Sequence, residues 1–232
     1  MMRRLHDSRA TSRTSPLGLM SLSVCAMTLS VVLSLMLTPL PAGAATASQG
    51  KQKLLSVSDL PAGWSVQKGN SGGGSVSVLG GCFKGLSSRP RAVQGVTRAE
   101  IGFVNGMFPA AAETLEEGKT AAARYTSFVH TLSKCSTVSF TANGIKVSGT
   151  VGALTVPTIG NASAAYAIHF TASGETLGID LILFKEGSTF GVLSYESLGS
   201  PTAAAAESLA AAAAEKAQGK PVTPVSSGGA VS

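Results

Sequence analysis

TLGIDLILF, residues 176–184, restricts the architectures open to this chain more than any other stretch. Side chains alternate across a strand, so Leu177, Ile179, Leu181 and Leu183 fall on one face, Ile182 and Phe184 on the other. A strand that is apolar on both faces reads as one buried on both. If helices cover one face, the second must meet another layer, a bound apolar ligand or a partner. Asp180 shares the face of Ile182 and Phe184, marking either a solvated part of it or the polar rim of an apolar cleft.

The neighbouring segments fix the strand's company. AAYAIHFTA (164–172) and TFGVLSYES (189–197) flank it through Ser173-Gly174 and Glu186-Gly187 turns, giving an antiparallel meander. Upstream, TVSFTA and IKVSGTV surround Asn143-Gly144, and VTRAEIGFVNG (96–106) ends in Asn105-Gly106; both dipeptides are strong hairpin signals. MFPAAAETLEEG (107–118) is ambiguous, with helix-favouring Ala and Glu behind a turn that asks for a returning strand. Glu116 and Glu117 are read there as turn residues.

Two helices are legible. From Lys119 to Lys134, Ala121, Tyr125, Phe128, Val129 and Leu132 form one apolar stripe at helical spacing. The second begins at Ser200-Pro201, a good N-cap and N1 pair, and runs through an Ala-rich stretch to about Gln218. LLSVSDLPAGW (54–64) predicts a further short helix closed by Pro61. The fold class expected is α+β, an antiparallel sheet packed by helices.

The N-terminus points to export. Arg3, Arg4, Arg9 and Arg13 precede an uncharged run from Leu17 to Leu40, and Ala42-Gly43-Ala44 fits a cleavage site before Ala45. The run is also long enough to span a bilayer uncleaved, the one case in which the chain would contact a membrane. A lipidated Cys25 fits poorly, because Val24 stands before it and the apolar run continues beyond it. Residues 1–44 thus read as a signal, 45–53 as a polar leader, 54–218 as one α+β domain and 219–232 as a tail.

Removing the signal takes four of the 18 basic residues and one of the 12 acidic ones, so net charge falls from +6 to about +3. Neither a basic run nor an arginine-rich helix remains to hold nucleic acid. Cys82 and Cys135 survive, and an even count in an exported chain predicts a disulfide.

The segments LLSVSDLPAGW, AEIGFVNG, VPTIGNASAAYAI and LILFKEGSTFGVLSY, with a helix ending in Cys135 and a closing Ala-rich helix, carry a resemblance. The chain is similar to an actinobacterial group of exported domains that includes PknH-like extracellular sensor domains and LpqN-like lipoproteins. The resemblance implies an antiparallel sheet packed with helices around a cleft, a ligand-binding or sensing role and no catalysis. It also implies that 107–118 is a strand. The chain departs from the group in having one cysteine pair and Asn161 where Gly-Asp is usual.

Catalytic and metal chemistry find little support. Gly69-Asn70-Ser71-Gly72-Gly73 matches G-x-S-x-G, but a nucleophile elbow needs a strand before it and a helix after it, and here more glycine follows. A serine hydrolase using Ser71 is a distant alternative. His130 falls on the polar face of its helix; His169 alternates with Ile168 and Phe170 and is either a sheet-surface residue or part of a pocket. No paired spacing suits a metal, and no cofactor is expected. The function expected is a secreted or envelope-associated binding module for a small, lipid-like or partly apolar ligand, with Asp180, Ile182, Phe184 and His169 as its candidate site. A structural or protein-interaction role in the envelope is the alternative.

Overall fold

The computed structural model describes residues 50–67, 82–83, 95–142, 145–172, 174–201 and 203–226. Ser71, with its G-x-S-x-G stretch, and the signal segment with Ala45 lie outside the described residues.

Asn105-Gly106 folds β2 (Thr97–Val104) back onto β3 (Ala110–Glu117), with Gly106 at a φ of 67° that favours glycine. The ambiguous 107–118 segment is therefore a strand over most of its length. Its Ala and Glu residues favour helix intrinsically, but ladders to strands on both sides override that preference. A two-residue β1 (Ser65–Val66) edges this hairpin.

The second half is a meander of β4 (Thr137–Ala142), β5 (Ile145–Leu154), β6 (Ala162–Ala172), β7 (Glu175–Glu186) and β8 (Thr189–Leu198). β3 pairs with β8, which joins the two halves into one antiparallel eight-stranded sheet ordered β1-β2-β3-β8-β7-β6-β5-β4.

Helices lie on both faces. The stripe of α1 (Ala121–Leu132) packs Phe128 and Leu132 onto Leu177, Ile179, Leu181 and Leu183 of β7. On the other face, α2 (Ala203–Ala217) buries Ala206, Leu209, Ala210, Ala213 and Ala214 in one cluster with Ile182, Phe184 and Leu193. The second covering layer that β7 demands is thus the protein's own C-terminal helix. α2 starts later than Ser200-Pro201 suggests, because Pro201 serves the sheet instead. A β-carbon on Gly178 would stand 2.1 Å from Pro201 Cδ, so glycine there lets the helix entry settle directly on β7.

Residues 54–64 hold only a 3-10 turn, Val57–Asp59, rather than a helix. Asp59 accepts from the Ser56 amide at 2.7 Å and from its hydroxyl at 2.6 Å. Lys216 of α2 closes on the same carboxylate, and the Val225 amide donates to the Asp59 carbonyl at 3.0 Å. Burial pushes the Asp59 carboxyl up, but its bonds to Lys216 and Ser56 outweigh that and hold it below the usual carboxylate range. This segment is pinned to α2 rather than extended as a helix of its own.

Glu116 and Glu117 belong to β3 and not to a turn. Glu116 is buried between two guanidinium groups, with Arg124 of α1 at 3.1 and 3.2 Å and Arg98 of β2 at 3.3 Å. That pairing satisfies a charge the sheet would otherwise exclude, and ties α1 to β3.

Cys82 and Cys135 are joined as a disulfide, with Cα atoms 5.8 Å apart and a sequence separation of 53. Cys135 follows α1 directly and Phe83 is fully buried in the α1-side core, so the bond fastens the Cys82 segment to the end of that helix. Cys135→Ser should lower the unfolding free energy by about 2–5 kcal/mol. Urea titration of the variant and the oxidised parent checks it, and a loss below about 1 kcal/mol would show that the bond is not a staple.

Candidate functional site

α2 covers β7 and β8 but stops short of the far half of the sheet. The same face of β4, β5 and β6 carries three polar-x-polar pairs: Thr137 and Ser139, Ser148 and Thr150, His169 and Thr171. Register aligns them into two rows across the strands. Thr137 pairs with Thr150 and Thr150 with His169; Ser139 pairs with Ser148 and Ser148 with Thr171. The intervening Val138 and Phe170 face α1, each almost wholly buried. Between them on that face is Gly149, where a β-carbon would meet the Phe170 ring at 2.7 Å.

The rows line an open trough of about 550 Å³, within the usual range for small-molecule sites. Its lining comprises five hydroxyl side chains, one imidazole, and the backbone of Val138 and Gly149. Hydroxyl groups donate and accept at once, and the imidazole adds a ring with one donor and one acceptor nitrogen when neutral.

His169 stands where the trough meets α2. Its cross-strand partner on β7 is Gly178, the residue capped by Pro201, and Asp180 is the next residue on that face. Asp180 is 2% exposed and its Oδ2 has no hydrogen-bond partner among the described residues. Burial pushes its carboxyl above the ordinary range; the His169 imidazole pulls it down and Glu207 of α2 pushes it further up. Directly across from Asp180 is Tyr195, whose phenol is raised by burial and by the Asp180 charge. Trp64 lies against Tyr195 with ring centroids 6.3 Å apart.

No family model matches the chain, and no curated protein does either. Among solved structures it is similar to the extracellular domain of PknH from Mycobacterium tuberculosis. That likeness has 12% identity and a TM-score of 0.46, over 56% of this chain and 68% of that one. Similarity of this degree carries no functional weight.

Of the four residues singled out in the sequence, Asp180 and His169 come together as diagonal neighbours. Ile182 and Phe184 do not join them at a cleft. Both are 0% exposed under α2, so the apolar face expected to line a ligand cleft is packing surface. The hydroxyl rows were missed, although three Thr/Ser/His-x-Thr/Ser pairs in successive strands are a visible signal once the strands are paired. Two buried acids were missed as well, Glu113 and Glu196. Among the described residues, no group of three or more His, Cys, Asp and Glu side chains is placed to hold a metal.

Proposed function

We propose that this chain is an exported, non-catalytic binding module whose ligand occupies the trough beside His169. The observation that carries this reading is the contrast between the two halves of the α2-side sheet face. Over β7 and β8 the sheet is covered by α2; over residues 137–139, 148–150 and 169–171 a hydroxyl-lined surface is left with no element above it among the described residues. A disulfide suits a chain that works outside the cytoplasm. The four large exposed apolar side chains among the described residues, Val57, Val66, Met107 and Leu198, belong to four separate segments. Apolar residues scattered in this way are ordinary surface and give no support to an apolar docking face.

The test is native mass spectrometry of protein recovered from its own host, wild type beside His169→Ala and the trough-filling Thr150→Trp. A bound small molecule should accompany the wild type and be lost from both variants, each checked for its fold by circular dichroism. A species retained by both variants, or no bound species on the wild type, would remove the trough from consideration.

A further inference from the structure

We infer that the trough takes a neutral, polyhydroxylated ligand, a saccharide unit, and not an acyl chain, an anion or a cation. This rests on the reading of the trough as the binding site and adds the chemistry of what it holds.

The lining decides the class. Thr137, Ser139, Ser148, Thr150 and Thr171 supply hydroxyls, His169 supplies an imidazole, and among the described lining residues there is no Lys, Arg, Asp or Glu. A charged ligand would shed its hydration there without a fixed counter-charge to replace it. An acyl chain would strip water from five hydroxyls and return no hydrogen bond to any of them. A sugar ring answers both difficulties. Its own hydroxyls donate and accept, and each can pair with a rotating Ser or Thr hydroxyl in either sense. Its C–H groups can rest on the threonine methyls of Thr137, Thr150 and Thr171.

The dimensions agree with the chemistry. Three strands about 4.8 Å apart, carrying polar groups two residues apart, make a two-by-three grid about 10 Å by 7 Å. The grid is regular because Thr137–Thr150–His169 and Ser139–Ser148–Thr171 are true cross-strand rows. The Gly149–Phe170 contact secures it from beneath, since the ring on the α1 side braces β5 against β6 where the rows cross. His169 is the anchor. It stands at the β7 end of its row, across from Gly178, on which Pro201 rests.

The experiment is a ¹⁵N-correlation titration of the full exported protein with cellobiose, maltotriose and chitotriose, and separately with glucose 6-phosphate and decanoate. At least one neutral sugar should shift the amides of Ser148, Thr150, His169 and Thr171 together. His169→Ala, a half-buried side chain whose removal leaves the core intact, should weaken that sugar about tenfold, the loss of one good hydrogen bond. If decanoate or the sugar phosphate moves those amides and no neutral sugar does, the saccharide assignment fails while the trough remains the site. If none of the probes moves them, or the sugars act only elsewhere on the sheet, the assignment and the site fall together.

Discussion

Phe184→Ala and Leu181→Ala are expected to destabilise the protein alike, by about 3–5 and 2–5 kcal/mol respectively. From sequence alone the two would separate if one face of the strand were core and the other lined a cleft, and would not if both were buried. The structure removes the grounds for separation. Leu181 lies in the α1-side cluster and Phe184 in the α2-side cluster, and neither exceeds 2% exposure. The Phe184 ring lies over Gly191 of β8, where a β-carbon would sit 2.0 Å from the ring. Beneath the ring is backbone, and the helix above contributes mainly alanine, so little side-chain mass can move into the cavity. The alanines that let α2 approach the sheet are what make this position costly to empty. Urea unfolding of the two variants, with unchanged slope against denaturant, checks the expectation. A Phe184→Ala cost under about 1 kcal/mol would mean that α2 is not packed on this face. Binding of a fluorescent fatty-acid analogue by the wild type but not by Phe184→Ala would mean the same.

What could be read from the sequence follows from the range of the interaction that sets each feature. Asn105-Gly106, the α1 stripe and the meander around 176–184 depend on contacts within a hairpin or a helical turn, and all are found. The need for a second layer over β7 was also legible, from Ile182 and Phe184. Its identity was not, because a helix that is alanine nearly all round presents no stripe, although Ala206, Ala210 and Ala213 are fully buried. Pro201 reads locally as a helix start. Its actual place over Gly178 depends on a strand more than twenty residues earlier. The site behaves in the same way. His169 stands out alone, but its row with Thr150 and Thr137 exists only once three strands are in register.

Raising the pH from 5 to 9 should weaken the fold, and Glu113→Gln should abolish much of that loss. Glu113 is 0% exposed on the α2 side of β3. Its Oε2 accepts the Leu55 amide at 2.7 Å, and its Oε1 has no hydrogen-bond partner among the described residues. Burial pushes the carboxyl up to about 8, against smaller downward pulls from the Leu55 amide and Lys216 and a small upward push from Asp59. Glu196, buried on the opposite face, is pushed up to about 7 by burial alone. An acid with a raised folded pKa holds its proton more tightly in the folded state. Its contribution is full below the unfolded value of 4.5, declines as pH rises, and is gone above the folded value. The affected window is therefore pH 4.5 to 8 for Glu113 and 4.5 to 7 for Glu196. Within it each group contributes a slope of up to about 1.4 kcal/mol per pH unit, and a few kcal/mol in all. Asp59 has the opposite sign: its lowered carboxyl gives stability that is lost only as pH falls below the ordinary carboxylate range, outside this window. Gln at 113 keeps a carbonyl for the Leu55 amide and cannot ionise. The variant should match the wild type near pH 5 and exceed it at pH 9, where the wild type must carry a buried charge or release the 54–60 segment from the sheet. Urea unfolding of wild type, Glu113→Gln and Glu196→Gln at both pH values separates the two acids. Parallel pH profiles for wild type and Glu113→Gln would show that this carboxyl reaches solvent and titrates as an ordinary surface acid.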